Sequence, residues 1–98
     1  MFLKIHRSYR PVVSLCDQDL IGKKFEQGIR QLDVRENFYK DKQVNEQEAI
    51  SILQIQARND ATFNIVGEES CQTAIKAGII SKANIMKVSS IPFALTLI

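Results

Sequence analysis

Four side chains, Asp17, Lys23, Asn64 and Glu68, are of the right types to bind a small ligand or substrate if the fold brings them together. Asn64 is the odd residue in an otherwise apolar run, T-F-N-I-V, where a buried amide must find partners or cost about 1 to 3 kcal/mol. It sits near the carboxy-terminal end of a predicted parallel strand, where ligand sites of α/β proteins lie. Tying that strand to a neighbouring loop would explain it as well. Glu68 and Glu69 open the following helix and would suit a cationic group such as a guanidinium or amine, or plain solvent. No spacing rule requires the four to meet.

Other chemistry is scarce. His6 is the sole histidine, and Cys16 and Cys71 are the only cysteines, so a tetrahedral zinc site of Cys and His ligands is one residue short. A nucleophile triad would have to use His6, which lies in a predicted strand with no acid beside it in sequence. The structural reading of His6, an exposed or edge residue, is the simpler one. Two cysteines cannot make a disulfide framework, and in a reducing compartment both read as small buried hydrophobes. Gly67 precedes a helix in the manner of a phosphate loop. Yet the chain has neither G-x-G-x-x-G nor G-K-[ST], and Glu68 and Glu69 would repel phosphate. Gly67 is therefore expected to serve packing. No metal and no cofactor are expected.

Net charge is only +2, but it is uneven: residues 1–42 hold nine Lys and Arg against six acids, and residues 43–98 hold four against five. Lys4, Arg7, Arg10, Lys23 and Lys24 carry the surplus and are the candidate phosphate contacts of an RNA-binding face. A solvated surface accounts for the same charges.

These residues need a scaffold. Ninety-eight residues, 45% of them hydrophobic and 24% charged, make one domain, 1–98, with a single core. No stretch reaches the length of a membrane span and no secretion signal opens the chain, so a cytoplasmic location is expected. Residues 2–7 and 12–16 read as a hairpin through Ser-Tyr-Arg-Pro, with Leu3, Ile5, Val13 and Leu15 facing inward. Asp17 is expected to cap a short turn anchored by Leu20, Ile21 and Phe25 and closed at Gly22, with Lys23 and Lys24 beyond it. Residues 29–35 alternate as a third strand, and 37–44 read as a loop in which Phe38 and Tyr39 pack down.

Asn45 and Glu48 have the spacing of a capping box. The helix after them has a wide apolar surface, Ala49 to Ala57, that needs cover from the domain or from a second copy in a homodimer. Residues 62–66 read as a buried strand, Cys71, Ala74, Ile75 and Gly78 as one helix face, and Ile85 to Val88 as a further strand parallel to the first. After Ile91-Pro92 the apolar tail reads as an edge strand or a partner surface.

In their order and separations, C-D-Q-D-L-I-G-K-K-F, N-F-Y, N-I-V-G-E, A-I-K-A-G-I-I and the late proline resemble the small archaeal family catalogued as domain of unknown function 424. The resemblance covers nearly the whole chain and implies an archaeal cytosolic protein with a compact α+β fold, without an agreed activity or catalytic residue. Members of that family often follow the final proline with histidine and alanine, whereas this chain has Phe93-Ala94. Any chemistry resting on that histidine would be lost here.

The expectation is an α+β domain: hairpin and third strand, a capped helix, then a β-α-β unit, with two main helices on a mixed sheet. The leading functional expectation is a non-catalytic module binding RNA or a ribonucleoprotein. Against it stand a small-molecule enzyme or binding protein using Asp17, Lys23, Asn64 and Glu68, and a structural subunit of an assembly.

Overall fold

The computed structural model describes residues 1–96. Eight strands, β1 (Phe2–His6), β2 (Val12–Cys16), β3 (Lys24–Gln27), β4 (Arg30–Asp33), β5 (Lys42–Gln43), β6 (Thr62–Val66), β7 (Met86–Val88) and β8 (Ile91–Thr96), are combined with helices α1 (Glu36–Tyr39), α2 (Glu46–Arg58) and α3 (Glu68–Lys76). A mixed sheet of six strands runs in the order β5-β1-β2-β6-β8-β7, and β3 and β4 make a separate hairpin. This is the expected α+β class with the two long helices on one sheet.

The β1–β2 hairpin has the expected bounds, with Leu3 opposite Leu15 and Ile5 opposite Val13. These side chains point to the helix side because strand residues alternate faces. There they join Phe63, Ile65 and Ala94 beneath Ala49 and Leu53 of α2 and Cys71 and Ala74 of α3. The helix α2 starts as its sequence demands. Asn45 Oδ1 accepts from Glu48 N at 2.8 Å, and Glu48 Oε1 accepts from Asn45 N at 3.0 Å.

The opposite face carries a second apolar cluster. Cys16, Val66 and Val88 lie under Leu20, Leu32, Val34 and Tyr39. One sheet thus separates two cores. The second is roofed by the β3–β4 hairpin and α1.

Four expectations need correction. The run at 29–35 is a strand only over Arg30–Asp33 and pairs with Lys24–Gln27 instead of joining the main sheet. Its partner was hidden because Phe25 is the single apolar residue among Lys24, Glu26 and Gln27. The segment 37–44 is not all loop: α1 overlaps its start, and Lys42–Gln43 pairs with Phe2–Leu3. The strands β6 and β7 do run the same way in one sheet, but both are antiparallel to β8, which lies between them. The neighbour parallel to β6 is β2.

The tail after Pro92 is therefore an interior strand, not an edge. Leu97 and Ile98, the end of that tail, lie outside the described residues. Proline normally cannot sit inside a sheet because it lacks a donor. Here Pro92 O accepts from Gly67 N at 2.8 Å, and the carbonyl its missing N–H would have met, that of Gly67, is already taken by Cys71 N at 2.9 Å in the first turn of α3. No ladder bond is lost.

Candidate functional site

The parallel strands β2 and β6 end side by side at Cys16 and Val66, and the residue after each does something different. Gly67 stands at the N-cap position just before α3, at φ 108°, with no side chain to cap the helix. Asp17 supplies one. Its Oδ1 accepts from Ser70 N at 2.8 Å and Ser70 Oγ at 2.7 Å, and its Oδ2 accepts from Glu69 N at 3.1 Å. These are the second and third backbone donors of the helix, the ones a capping side chain normally satisfies. Asp17 is also held by its own backbone, N to Val66 O at 3.1 Å.

Asp17 was expected to cap its own turn, Gln18–Leu20, but that turn has no side-chain cap. The longer helix has the stronger dipole and two free donors adjacent in space, so it takes the carboxylate. Gly67 has the packing role anticipated for it: a Cβ there would lie 2.6 Å from Asp17 Oδ1 and closer still to Cγ. The anion position at this helix end is filled by the protein itself. A phosphate would have to displace Asp17.

The other members of the expected ligand set do not gather around Asp17. Glu68 is exposed and lines a shallow groove of about 290 Å³ with Gln72, Lys82, Ile85 and Lys87. Asn64 lies mid-strand, half-buried, between Ser14 of β2 and Leu95 of β8. Lys23 is exposed at the entrance to β3, its N–H donating to Leu20 O.

The thiols are chemically quiet. Burial, reinforced by the charge of Asp17, pushes Cys16 up to about 12 and Cys71 up to about 11, so both stay protonated near neutrality. Burial likewise raises Tyr39 to about 12. Among the described residues no group of three His, Cys, Asp or Glu side chains is placed to hold a metal ion.

His6 is half-buried, and its neighbours show what it holds. Its Nε2 donates to Phe38 O at 2.9 Å, and its ring stacks on that of Phe38 at 4.2 Å between centroids. Ser14 Oγ donates to the same carbonyl at 3.0 Å, and Lys4 Nζ donates to Asn37 O at 2.6 Å. The polar residues on the outer face of β1 and β2 therefore bind the carbonyls of α1 and hold it on the sheet.

The five candidate cations fall into two groups. Arg7 and Arg10 sit in the loop joining β1 to β2, before Val12, with Lys4 on the neighbouring strand. Lys23 and Lys24 follow the turn after Cys16, at the other end of β2, a five-residue strand about 13 Å long. Lys24 is also paired with Glu26 at 3.7 Å. Between Arg7 and Arg10 is Tyr9, fully exposed, in a loop tied by Ser8 Oγ donating to Arg10 O. Sequence reading passed over Tyr9, although an aromatic residue between two arginines in a turn was visible. It also passed over Ser70, whose signal was a helix beginning at glycine with no cap of its own.

A solved structure described as the crystal structure of an uncharacterized conserved protein from Methanopyrus kandleri is similar at a TM-score of 0.87 and 25% identity, covering 97% of this chain and 88% of that one. No curated protein matches the chain. A protein-family model described as "Protein of unknown function (DUF424)" matches residues 6–97.

Proposed function

Since the chain belongs to the DUF424 family, a membership that brings no activity with it, we propose from its own residues that it is a non-catalytic module binding RNA or a ribonucleoprotein. The observation that carries this reading is the β1–β2 loop: a fully exposed Tyr9 flanked by Arg7 and Arg10. An exposed aromatic ring beside guanidinium groups can stack an unpaired base while the cations meet the phosphates on either side. Lys4 adds charge next to the loop. Lys23 and Lys24 lie at the far end of β2 and serve as a second contact for an RNA long enough to run the length of the strand.

The groups a catalyst would use are occupied elsewhere, which supports binding over turnover. The carboxylate of Asp17 caps α3, both thiols are protonated, and His6 is committed to Phe38.

Fluorescence anisotropy with a labelled RNA stem-loop at about 50 mM salt tests the reading. Binding is expected to weaken as salt rises, and to fall about tenfold or more in Tyr9→Ala and Arg7→Glu. Reversal of both Lys23 and Lys24 should have the smaller effect on a short RNA. Absence of binding, or affinity unchanged in both loop variants, overturns the proposal.

A further inference from the structure

On the helix side of the sheet, β1 is left partly uncovered. The strand β5 pairs only with Phe2 and Leu3. In an antiparallel ladder the main-chain groups of alternate residues point the same way. Met1 O accepts from Val44 N on the β5 side, so Leu3 and Ile5 also point their N–H and C=O away from β2. Leu3 meets Lys42. Among the described residues Ile5 has no strand opposite it, because the pairing ends and the preceding chain turns into α1.

Beside this open edge lies a groove of about 430 Å³, lined by Leu3, Ile5 and Arg7 of the strand, Asp41 and Lys42, and Ile52, Ile55 and Gln56 of α2. Ile55 is 48% exposed at its rim. Arg7, Lys42 and Asp41 have no ion-pair partner among the described residues, which leaves the rim with one net positive charge.

An open strand edge next to an apolar slot formed with a helix is the arrangement that takes an extended peptide as an added strand. The main-chain bonds supply affinity, and alternate side chains enter the slot. We infer that this groove binds an extended polypeptide segment with apolar residues at alternate positions and an acidic residue facing Arg7 and Lys42. The unpaired groups of Ile5 call for a backbone, the slot between Ile5, Ile52 and Ile55 calls for an apolar side chain, and the cationic rim calls for a carboxylate. This site is on the other side of β1 from α1 and stands without the RNA reading. Arg7 is common to the groove and the β1–β2 loop, so RNA and peptide are expected to compete in part at that residue.

The test is selection from a phage-displayed library of random heptapeptides on the full chain, counter-selected on Ile55→Asp. Ile55 is outside the buried core, so the variant is expected to fold; an unchanged circular dichroism melt checks it, and Gln56→Glu at the same groove, which repels the peptide's carboxylate, provides a second variant if it does not. The expected result is enrichment of alternating apolar and acidic sequences. Synthetic copies should bind at least about tenfold more weakly to the variant, and as weakly to the wild type when one backbone amide of the peptide is N-methylated. No enrichment over the variant overturns the inference, as does enrichment of peptides indifferent to N-methylation. Displacement of the peptides by the RNA stem-loop that is undiminished in Tyr9→Ala also overturns it, assigning the groove itself to nucleic acid.

Discussion

The carboxylate of Asp17 occupies the space where a side chain at Gly67 would be. The two residues lie one beyond the ends of parallel neighbours, and the conformation of one is set by the presence of the other. Gly67→Ala would force a methyl group against that carboxylate while holding alanine at φ 108°, a region L-residues avoid. A loss of about 2 to 4 kcal/mol is expected in urea denaturation. Part of the loss should persist in Asp17→Ala/Gly67→Ala, because removing the carboxylate relieves the collision but not the backbone strain, and the coupling between the two sites is expected at about 0.5 to 3 kcal/mol.

Asp17 should respond to substitution according to how many of its three accepted bonds survive. Asp17→Ala leaves the amides of Glu69 and Ser70 and the Ser70 hydroxyl without their acceptor, for an expected loss of about 2 to 4 kcal/mol. Asp17→Asn keeps one acceptor oxygen and should cost less. Ser70→Ala removes a single bond and should cost about 1 kcal/mol. Chemical denaturation of the three variants gives the order; equal losses in all three would show that Asp17 acts by packing alone.

How far the sequence was legible follows from the range of each signal. The capping box at Asn45 and Glu48, the β1–β2 hairpin and the turn at Gly22 rest on residues close in sequence, and each formed where the pattern put it. Asp17 has only short-range signals too, and they pointed to its own turn; nothing local says that a helix start 53 residues later, at Ser70, will claim it. The order of β6, β8 and β7 was illegible for a related reason. Pro92 argued for an edge, and the freedom of that position from donating depends on Gly67 O being bonded within α3. The candidate ligand set failed to converge because Asp17 is taken up in capping α3, Asn64 lies in the middle of β6, and Lys23 and Glu68 are exposed.

The buried thiols predict a stability limit at high pH. Cys16 and Cys71 are raised from an ordinary value of 9.0 to about 12 and about 11. Between pH 9 and those values the unfolded chain loses the thiol protons while the folded chain keeps them. The native state then binds more protons, and stability falls as pH rises, by up to about 1.4 kcal/mol per pH unit for each group. Below pH 9 the effect is absent. Urea midpoints measured from pH 8 to 11 should decline, and Cys16→Ala should flatten the decline although it lowers the starting value. Ellman's reagent at pH 8 should label neither thiol until denaturant is added.

Two apolar residues of α2 that look alike in sequence should differ sharply in cost. Leu53 is fully buried against the sheet, whereas Ile55, two residues later, stands at the rim of the β1 groove at 48% exposure. A two-residue step turns an α-helix by about 200°, so the pair faces nearly opposite directions although both belong to the same apolar run. Leu53→Ala removes atoms from a close-packed interior and leaves a cavity, for about 2 to 5 kcal/mol. Ile55→Ala removes atoms already in contact with water and should cost less than about 1 kcal/mol. Thermal or urea unfolding of the two variants reads the difference directly. If Ile55→Ala proved as costly as Leu53→Ala, the groove would have to be closed in solution, and the width of the apolar face of α2 would be explained by the domain's own packing.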